Sequence, residues 1–418
     1  MNVRSLIVAA AVSLCGLPAA AAEPAALSVR IAPGPMDEAR GLGHVDVTLT
    51  LSDLDAAAGE VLVSLPIVIA NTETVAEHLI GLTATDEQGS VPLQVRDDPE
   101  ALVYARHWLA GRAVSGDLVV SYRAPIDNTP PRRGSGPPYQ LRTEGGGFSA
   151  VGNTFLLTPP DGRDYQITID WDLSAMGPGA TATSSWGEGD AVLPGAGSAD
   201  RLWSGVFMAG PMKRYPAEPQ NNGFSAAWLG EPPFDPAPLM AWTERLHTWM
   251  SDFFQETEEP PYRVFLRFNP INAGGGAALT NSFLTTYGQA TTAESIKGTL
   301  AHEMIHTWTS LGPGQWYSEG NAVFYQARLP WRAGLISTED YLQDINDTAR
   351  RYYTNALNDT PNDQIAARFW EDTRVRTLPY DRGGLYFAVL NDRIRKASAG
   401  QRSVDDLILA MIARRRAG

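Results

Sequence analysis

The sequence predicts a chain of more than one domain: an N-terminal antiparallel β-sandwich, then a mostly helical domain carrying a small sheet. Three observations predict it. At 418 residues the chain is too long for one compact core. From Leu27 to about Gly195, apolar and polar residues alternate with the period of a strand. Beyond Pro236 the apolar spacing becomes that of a helix.

The first 22 residues read as a secretory signal. Arg4 supplies the positive end, "LIVAAAVSLCGL" the short apolar stretch, and Ala20 and Ala22 the small residues for cleavage after Ala22. Export to a bacterial periplasm or the medium is therefore expected. Lipid anchoring at Cys15 is not, because Leu14 stands where such sites need a small residue. Cys15 is the one cysteine in the chain, so the mature protein is expected to have neither disulfides nor thiolate ligands. No later apolar run approaches the length of a membrane span, so stable membrane insertion is not expected. The net charge of −14 argues against a nucleic-acid partner, which needs basic surface.

The sandwich is assigned to 23–195. "VDVTLTL", "EVLVSLPIVI", "GDLVVSYRA" and "DYQITIDW" are its clearest strands, each bounded by Gly, Pro, Asp or Asn. The stretch 127–147, rich in Pro, Gly and Arg, reads as an exposed loop inside this domain. The second domain is assigned to 196–418. There Leu239, Trp242, Leu246, Trp249 and Phe253 share one helix face, behind Pro236 and Pro238. That aromatic stripe reads as core, and His247 within it as a core or surface histidine. "YRVFLRF" (262–268) reads as a strand and "INAGGGAALTNSF" as a glycine-rich turn leaving it. Helices dominate from Thr291 onward. The closing Arg414, Arg415 and Arg416 complement a helix dipole.

The chemistry is concentrated in "TLAHEMIHTW" (299–308). On a helix, His302 and His306 project from one face one turn apart and can reach a single metal. Zinc held by three protein ligands keeps a fourth position for water and lowers the pKa of that water to about 7. Glu303 is offset from the histidines, so it can take the proton from that water without binding the metal. A helix start at Thr291 or Thr292 and an uninterrupted run to Trp308 suit this reading. The third ligand is expected at Glu319, after a "GPG" turn, with Ser318 as the N-cap of a new helix. Glu339, Asp340 and Asp344 are its rivals, on a charged stretch that reads as solvated. One zinc per chain is expected.

Those residues, with "WYSEGNAVFY", "RAGLISTEDYL", "PYDRGGLYFAVLNDRIRKASAGQRSVDDLI" and "GGGAALTNS", resemble the M61 peptidases, glycyl-aminopeptidase-like zinc enzymes of the gluzincin clan. The likeness covers roughly 196–418 well and the β domain more loosely. It implies a thermolysin-like zincin domain acting on a peptide or protein substrate. It makes His302, His306 and Glu319 zinc ligands, Glu303 the general base, and Tyr380 of "YDRGG" the donor to the oxyanion. The sequence departs from the family in three places. The segment between His306 and Glu319 is short. The C-terminal PDZ domain common in the family is not expected here. The acidic residue and histidine of the family's Gly-Gly-Leu-Glu-His are replaced by Ala278 and Leu279, which puts strict N-terminal trimming in doubt. Glu294 and Glu371 are the carboxylates that could substitute. A hydrolase of non-peptide amides or esters shares the same residues. A β-sandwich binding protein with a structural metal is disfavoured, because such sites are closed and cysteine-rich.

Overall fold

The computed structural model describes residues 24–37, 41–99, 103–129, 137–258, 260–271, 273–309 and 315–417. The expected signal segment, with Cys15, lies outside them. No helix among the described residues is long and apolar enough to cross a membrane.

The N-terminal part is rich in sheet. Strands Ala25–Pro33, His44–Leu51 and Leu118–Pro125 lie side by side and antiparallel at the centre of an eight-stranded sheet. Their alternation puts Val29, Leu49 and Val120 in register, all fully buried. Strands Val61–Pro66 and Ala105–Ala110 belong to a three-stranded sheet whose Leu62, Val63, Leu65 and Trp108 join the same core. The expected purely antiparallel arrangement does not hold. Ala25–Pro33 pairs in parallel with Asp164–Trp171, in the register Leu27 to Ile167 and Val29 to Ile169. Period-two alternation fixes which face of a strand is buried, but both pairing directions satisfy it. Strand Val206–Gly210, well past residue 195, still pairs with Gly147–Val151 and Thr181–Ser184.

The C-terminal part holds a five-stranded sheet and the helices. In space the strands run Lys213–Tyr215, Gly223–Trp228, Pro261–Phe268, Ser282–Tyr287, Gly276–Leu279. The helices are α1 (Pro236–Phe253), α2 (Lys297–Thr309), α3 (Gln315–Gln326), α4 (Arg328–Arg332), α5 (Thr338–Thr354), α6 (Asn362–Arg368), α7 (Thr373–Arg376), α8 (Leu378–Ala397) and α9 (Val404–Arg416). Leu239, Trp242, Leu246 and Met250 of α1 pack into one core with Leu300, Met304 and Ile305 of α2. His247 lies among Phe224, Tyr262 and Trp308, its nearest ring centroid 4.3 Å away, and burial pulls its pKa down to about 4. Arg416 donates to the Phe254 and Gln255 carbonyls just past α1 and pairs with Glu256.

Two expectations fail here. Gly276–Leu279 is not a turn but an antiparallel edge strand on Ser282–Tyr287. Gly and Ala carry little strand propensity, so the run hid its extended backbone. The expected exposed loop 127–147 is built into the fold from Pro137 onward. Arg142–Glu144 and Gly147–Val151 form a hairpin through Gly145 and Gly146, whose φ values are +52° and +83°.

That hairpin is fastened by the central strand of the second sheet. Along Pro261–Phe268, Tyr262, Val264 and Leu266 face the helical core, while Arg263 and Arg267 face the N-terminal sheets, each 2% exposed. Arg267 donates to the carbonyls of Pro138 and Gln140 at 2.6 Å each. Its burial pulls the guanidinium pKa down to about 9. Returning contacts come from Glu144, whose carboxylate accepts from the Tyr287 phenol at 2.5 Å and from the Phe268 backbone N–H at 2.9 Å. Buried polar groups of this kind are held by such partners, although Arg267 Nε and Arg263 Nη1 find none among the described residues. The consequence is functional: Pro137 and Pro138 form one wall of a cleft whose other walls are the edge strand and the helices.

Candidate active site

Helix α2 is preceded by a reciprocal pair, in which the Thr292 hydroxyl accepts from the Ser295 N–H and the Ser295 hydroxyl from the Thr292 N–H. A short turn over Glu294–Ile296 then leads into α2. Helical spacing puts His302 and His306 on one face, where their rings meet edge to face at 4.9 Å. Helix α3 brings in Glu319. It already runs at Gln315, so Ser318 is inside the helix and not its N-cap. The Ser318 hydroxyl instead lies 3.2 Å from His306 Nδ1.

His302 Nε2, His306 Nε2 and Glu319 Oε2 form a triangle with edges of 3.2, 3.3 and 3.4 Å. Tetrahedral zinc, with bonds of about 2.0–2.1 Å, spaces its donors about 3.3–3.4 Å apart. The three donors thus fit one zinc ion, and they are the group of metal-competent side chains found among the described residues.

Protonation supports the fit. Gln326 Nε2 donates to Asp344 Oδ1 at 2.8 Å, which turns its carbonyl oxygen toward His302. That oxygen can only accept, so His302 Nδ1, 3.0 Å away, carries the proton. Nε2 is then left with a lone pair facing the Glu319 carboxylate at 3.2 Å, which calls for a cation between them. The electrostatics agree. Burial pulls the His302 pKa down, but Glu319 and Glu303 outweigh it and raise the net value. Burial pushes Glu319 up, but the two imidazoles outweigh it and hold the carboxyl well below its usual range. Both shifts say that the cluster stabilises positive charge at its centre. Asp344, expected on a solvated stretch, is half-buried and anchors Gln326. Asp340 sits in a capping box with Ser337 at the start of α5.

Glu303 stands beside the triangle without joining it. It packs against Gly276, where an added Cβ would lie 2.5 Å from Glu303 Cγ, and its carboxylate accepts from the Ala278 N–H. Burial pushes its pKa up, toward the range of a general base. Tyr380, near the start of α8, stacks on His302 with centroids 5.8 Å apart and planes 17° apart, close enough to Glu319 and Glu303 to feel both carboxylates. Burial and the two nearby carboxylates raise its pKa well above the ordinary value, so it stays a donor at neutral pH. The placement of Tyr380 over Glu319 depends on two glycines. Gly320 of α3 meets Gly383 of α8 so closely that an added Cβ on either would lie 2.6 Å from the other's neighbouring backbone.

The structure thus gathers His302, His306 and Glu319 into one triangle, while His302, Glu303 and Tyr380 line a cleft of about 520 Å³. Sequence reasoning missed Gln326, Gly320, Gly383 and the Pro137–Pro138 wall, and gave Ser318 a capping role in place of its contact with His306. One signal for Gln326 was available: it lies seven residues after Glu319, on the same face of α3. Replacing Gln326 with leucine is expected to weaken zinc binding by about 10- to 100-fold, because the His302 tautomer is no longer fixed. A chelator-competition titration measures this, and unchanged affinity would mean that Gln326 does not set the tautomer.

No family model matches the chain, and no curated protein matches it. Solved structures do. An aminopeptidase N family protein from Idiomarina loihiensis is 15% identical, with a TM-score of 0.70, over 93% of this chain and 70% of that one. An M1 zinc metallopeptidase from Deinococcus radiodurans is 14% identical, with a TM-score of 0.54, over 93% and 85%. Yeast LTA4 hydrolase is 13% identical, with a TM-score of 0.54, over 93% and 62%. At such identities the likeness is one of fold: a sheet-rich N-terminal part followed by a helical C-terminal part.

Proposed function

We propose that this chain is a zinc-dependent metallopeptidase of the gluzincin type, with motifs that resemble those of the M61 enzymes on a fold similar to that of M1 enzymes. One observation carries the reading: a nearly equilateral set of two imidazole nitrogens and one carboxylate oxygen, 3.2–3.4 Å apart, with Glu303 beside it. His302, His306 and Glu319 would hold one zinc, which when bound supplies Lewis acidity toward water and the scissile carbonyl. Glu303 takes the proton of the attacking water and delivers it to the leaving amine. The Tyr380 phenol donates to the oxygen on which negative charge develops. The strand Gly276–Leu279 pairs on one side only among the described residues, leaving its other edge for an extended peptide. Export, with removal of residues 1–22, is part of the proposal and rests on the sequence.

The test is a defined peptide mixture incubated with zinc-loaded wild type and with Tyr380→Phe, products being mapped by mass spectrometry. Wild type is expected to cut at discrete bonds. Tyr380→Phe is expected to lower kcat about a hundredfold with little change in KM, because the lost bond forms mainly in the transition state. A zinc-loaded wild type that cleaves no peptide overturns the peptidase reading. A near-normal kcat for Tyr380→Phe removes the phenol from the mechanism.

A further inference from the structure

Beyond the catalytic cleft lies a second cavity, of about 620 Å³. The two are continuous, since Asn269, Gly274 and Ser295 line both. Their chemistry differs. The cleft carries His302, Glu303, Arg351 and Asp381, whereas no charged side chain is among the described residues that line the second cavity. Its apolar wall is made by Phe268, Pro270, Ile271, Ala273, Ala290 and Ile296. One exposed isoleucine needs no explanation, but Ile271, 60% exposed, stands in the wall of a concave apolar site that opens into the cleft. The walls are tied together. The Asn269 N–H donates to the Tyr287 carbonyl at 2.8 Å, and the Gly274 N–H to the Thr286 carbonyl at 2.9 Å. The Gly288 N–H donates to the Thr291 hydroxyl at 2.8 Å. Gly288 also lets the two loops close, since an added Cβ there would lie 2.8 Å from Ala273 Cβ. The site is therefore formed before any ligand arrives. It also lies on the path of an extended ligand. Gly274 stands two residues before the edge strand Gly276–Leu279, so a peptide laid along the free edge of that strand and continued past Gly276 runs into the cavity.

We infer that this cavity is a substrate subsite that accepts an apolar side chain of the bound peptide, away from the scissile bond, with Ile271 as a specificity-determining residue. The inference rests on the peptidase reading for the word substrate, but the side-chain preference can be read by binding alone. A leucine or phenylalanine that enters the cavity leaves water for an apolar wall. A charged side chain there loses water and finds no opposite charge among the described lining residues.

The experiment uses zinc-loaded Glu303→Gln as a non-cleaving background and measures fluorescence anisotropy with labelled, amidated peptides of equal length. The parent peptide contains only alanine and serine. In the others a single leucine, glutamate or lysine is moved through its positions. At one position or more, leucine is expected to bind about tenfold more tightly than the parent, and glutamate and lysine at that position no more tightly than the parent. Adding Ile271→Asp is expected to bring lysine level with leucine at that position or ahead of it. The Ile271 side chain is exposed, so zinc content and thermal melting should hold and report that the variant is folded. Wild type is expected to cut the favoured peptides at a fixed distance from their leucine, as mapped by mass spectrometry. Equal binding of all peptides, no binding at all, a preference for a charged residue, or a preference for leucine over lysine that Ile271→Asp leaves unchanged overturns the inference. The two readings fail separately. Leucine-selective binding that depends on Ile271, with no cleavage by wild type, overturns the peptidase and leaves the apolar site. Cleavage that is indifferent to leucine does the reverse.

Discussion

Replacing Glu303 with glutamine is expected to leave about one zinc per chain and to lower peptide turnover by about a hundred- to ten-thousandfold. The size of the loss is that of a general acid–base group removed from the transition state. Glutamine keeps the shape that packs on Gly276, and its carbonyl oxygen can still accept from the Ala278 N–H, so the local structure has no reason to change. It cannot take up a proton at neutral pH. Zinc content should hold, because Glu303 lies outside the triangle of His302, His306 and Glu319. Kinetics and elemental analysis of one preparation give both numbers. A rate near that of wild type would show that Glu303 is not the base.

The second large effect is expected far from any reacting atom. Gly320→Ala places a methyl group 2.6 Å from Gly383 Cα and 2.7 Å from its carbonyl carbon, where ordinary contact needs more than 3.4 Å. Helices α3 and α8 must separate by about an ångström. Overpacking of this kind costs about 1–3 kcal/mol of stability. The same separation moves Tyr380 away from Glu319, and an error of about an ångström in a catalytic group costs on the order of a hundredfold in rate. Thermal melting and kcat should therefore fall together. A variant that melts and turns over like wild type would show that the glycine contact does not position Tyr380.

How much of this was legible in the sequence depends on the kind of signal each residue leaves. His302, Glu303 and His306 are local: helix geometry alone places them, and the four-residue spacing states the chemistry. Glu319 could be reached by counting ligands, though the reason offered for its position was wrong. Ser318 does not cap a helix; α3 already runs at Gln315, and the hydroxyl meets His306. Tyr380 was reached through a family likeness, since nothing in its neighbourhood marks a phenol as catalytic before α8 is packed on α3. The strands were visible as alternation, but the parallel pairing of Ala25–Pro33 with Asp164–Trp171 was not, because direction leaves no trace in a period of two. The stretch 262–268 read simply as a strand; in the structure both of its faces are buried, and Arg263 and Arg267, which bond Thr183 and Pro138, hold the first half of the molecule to the second. The proline-rich stretch read as a loop because Pro and Gly signal turns, and only its docking on Arg267 makes it a wall of the cleft.

The central proposal is that one zinc, held by His302, His306 and Glu319, is required for peptide cleavage. The measurement that tests it most directly is a zinc titration of chelator-stripped protein, following metal content and cleavage of a peptide substrate in the same samples. The expected result is loss of cleavage with loss of metal, and recovery that rises with added zinc and stops at one ion per chain. Cleavage that persists without metal, or stripped protein that takes up no zinc, would contradict it.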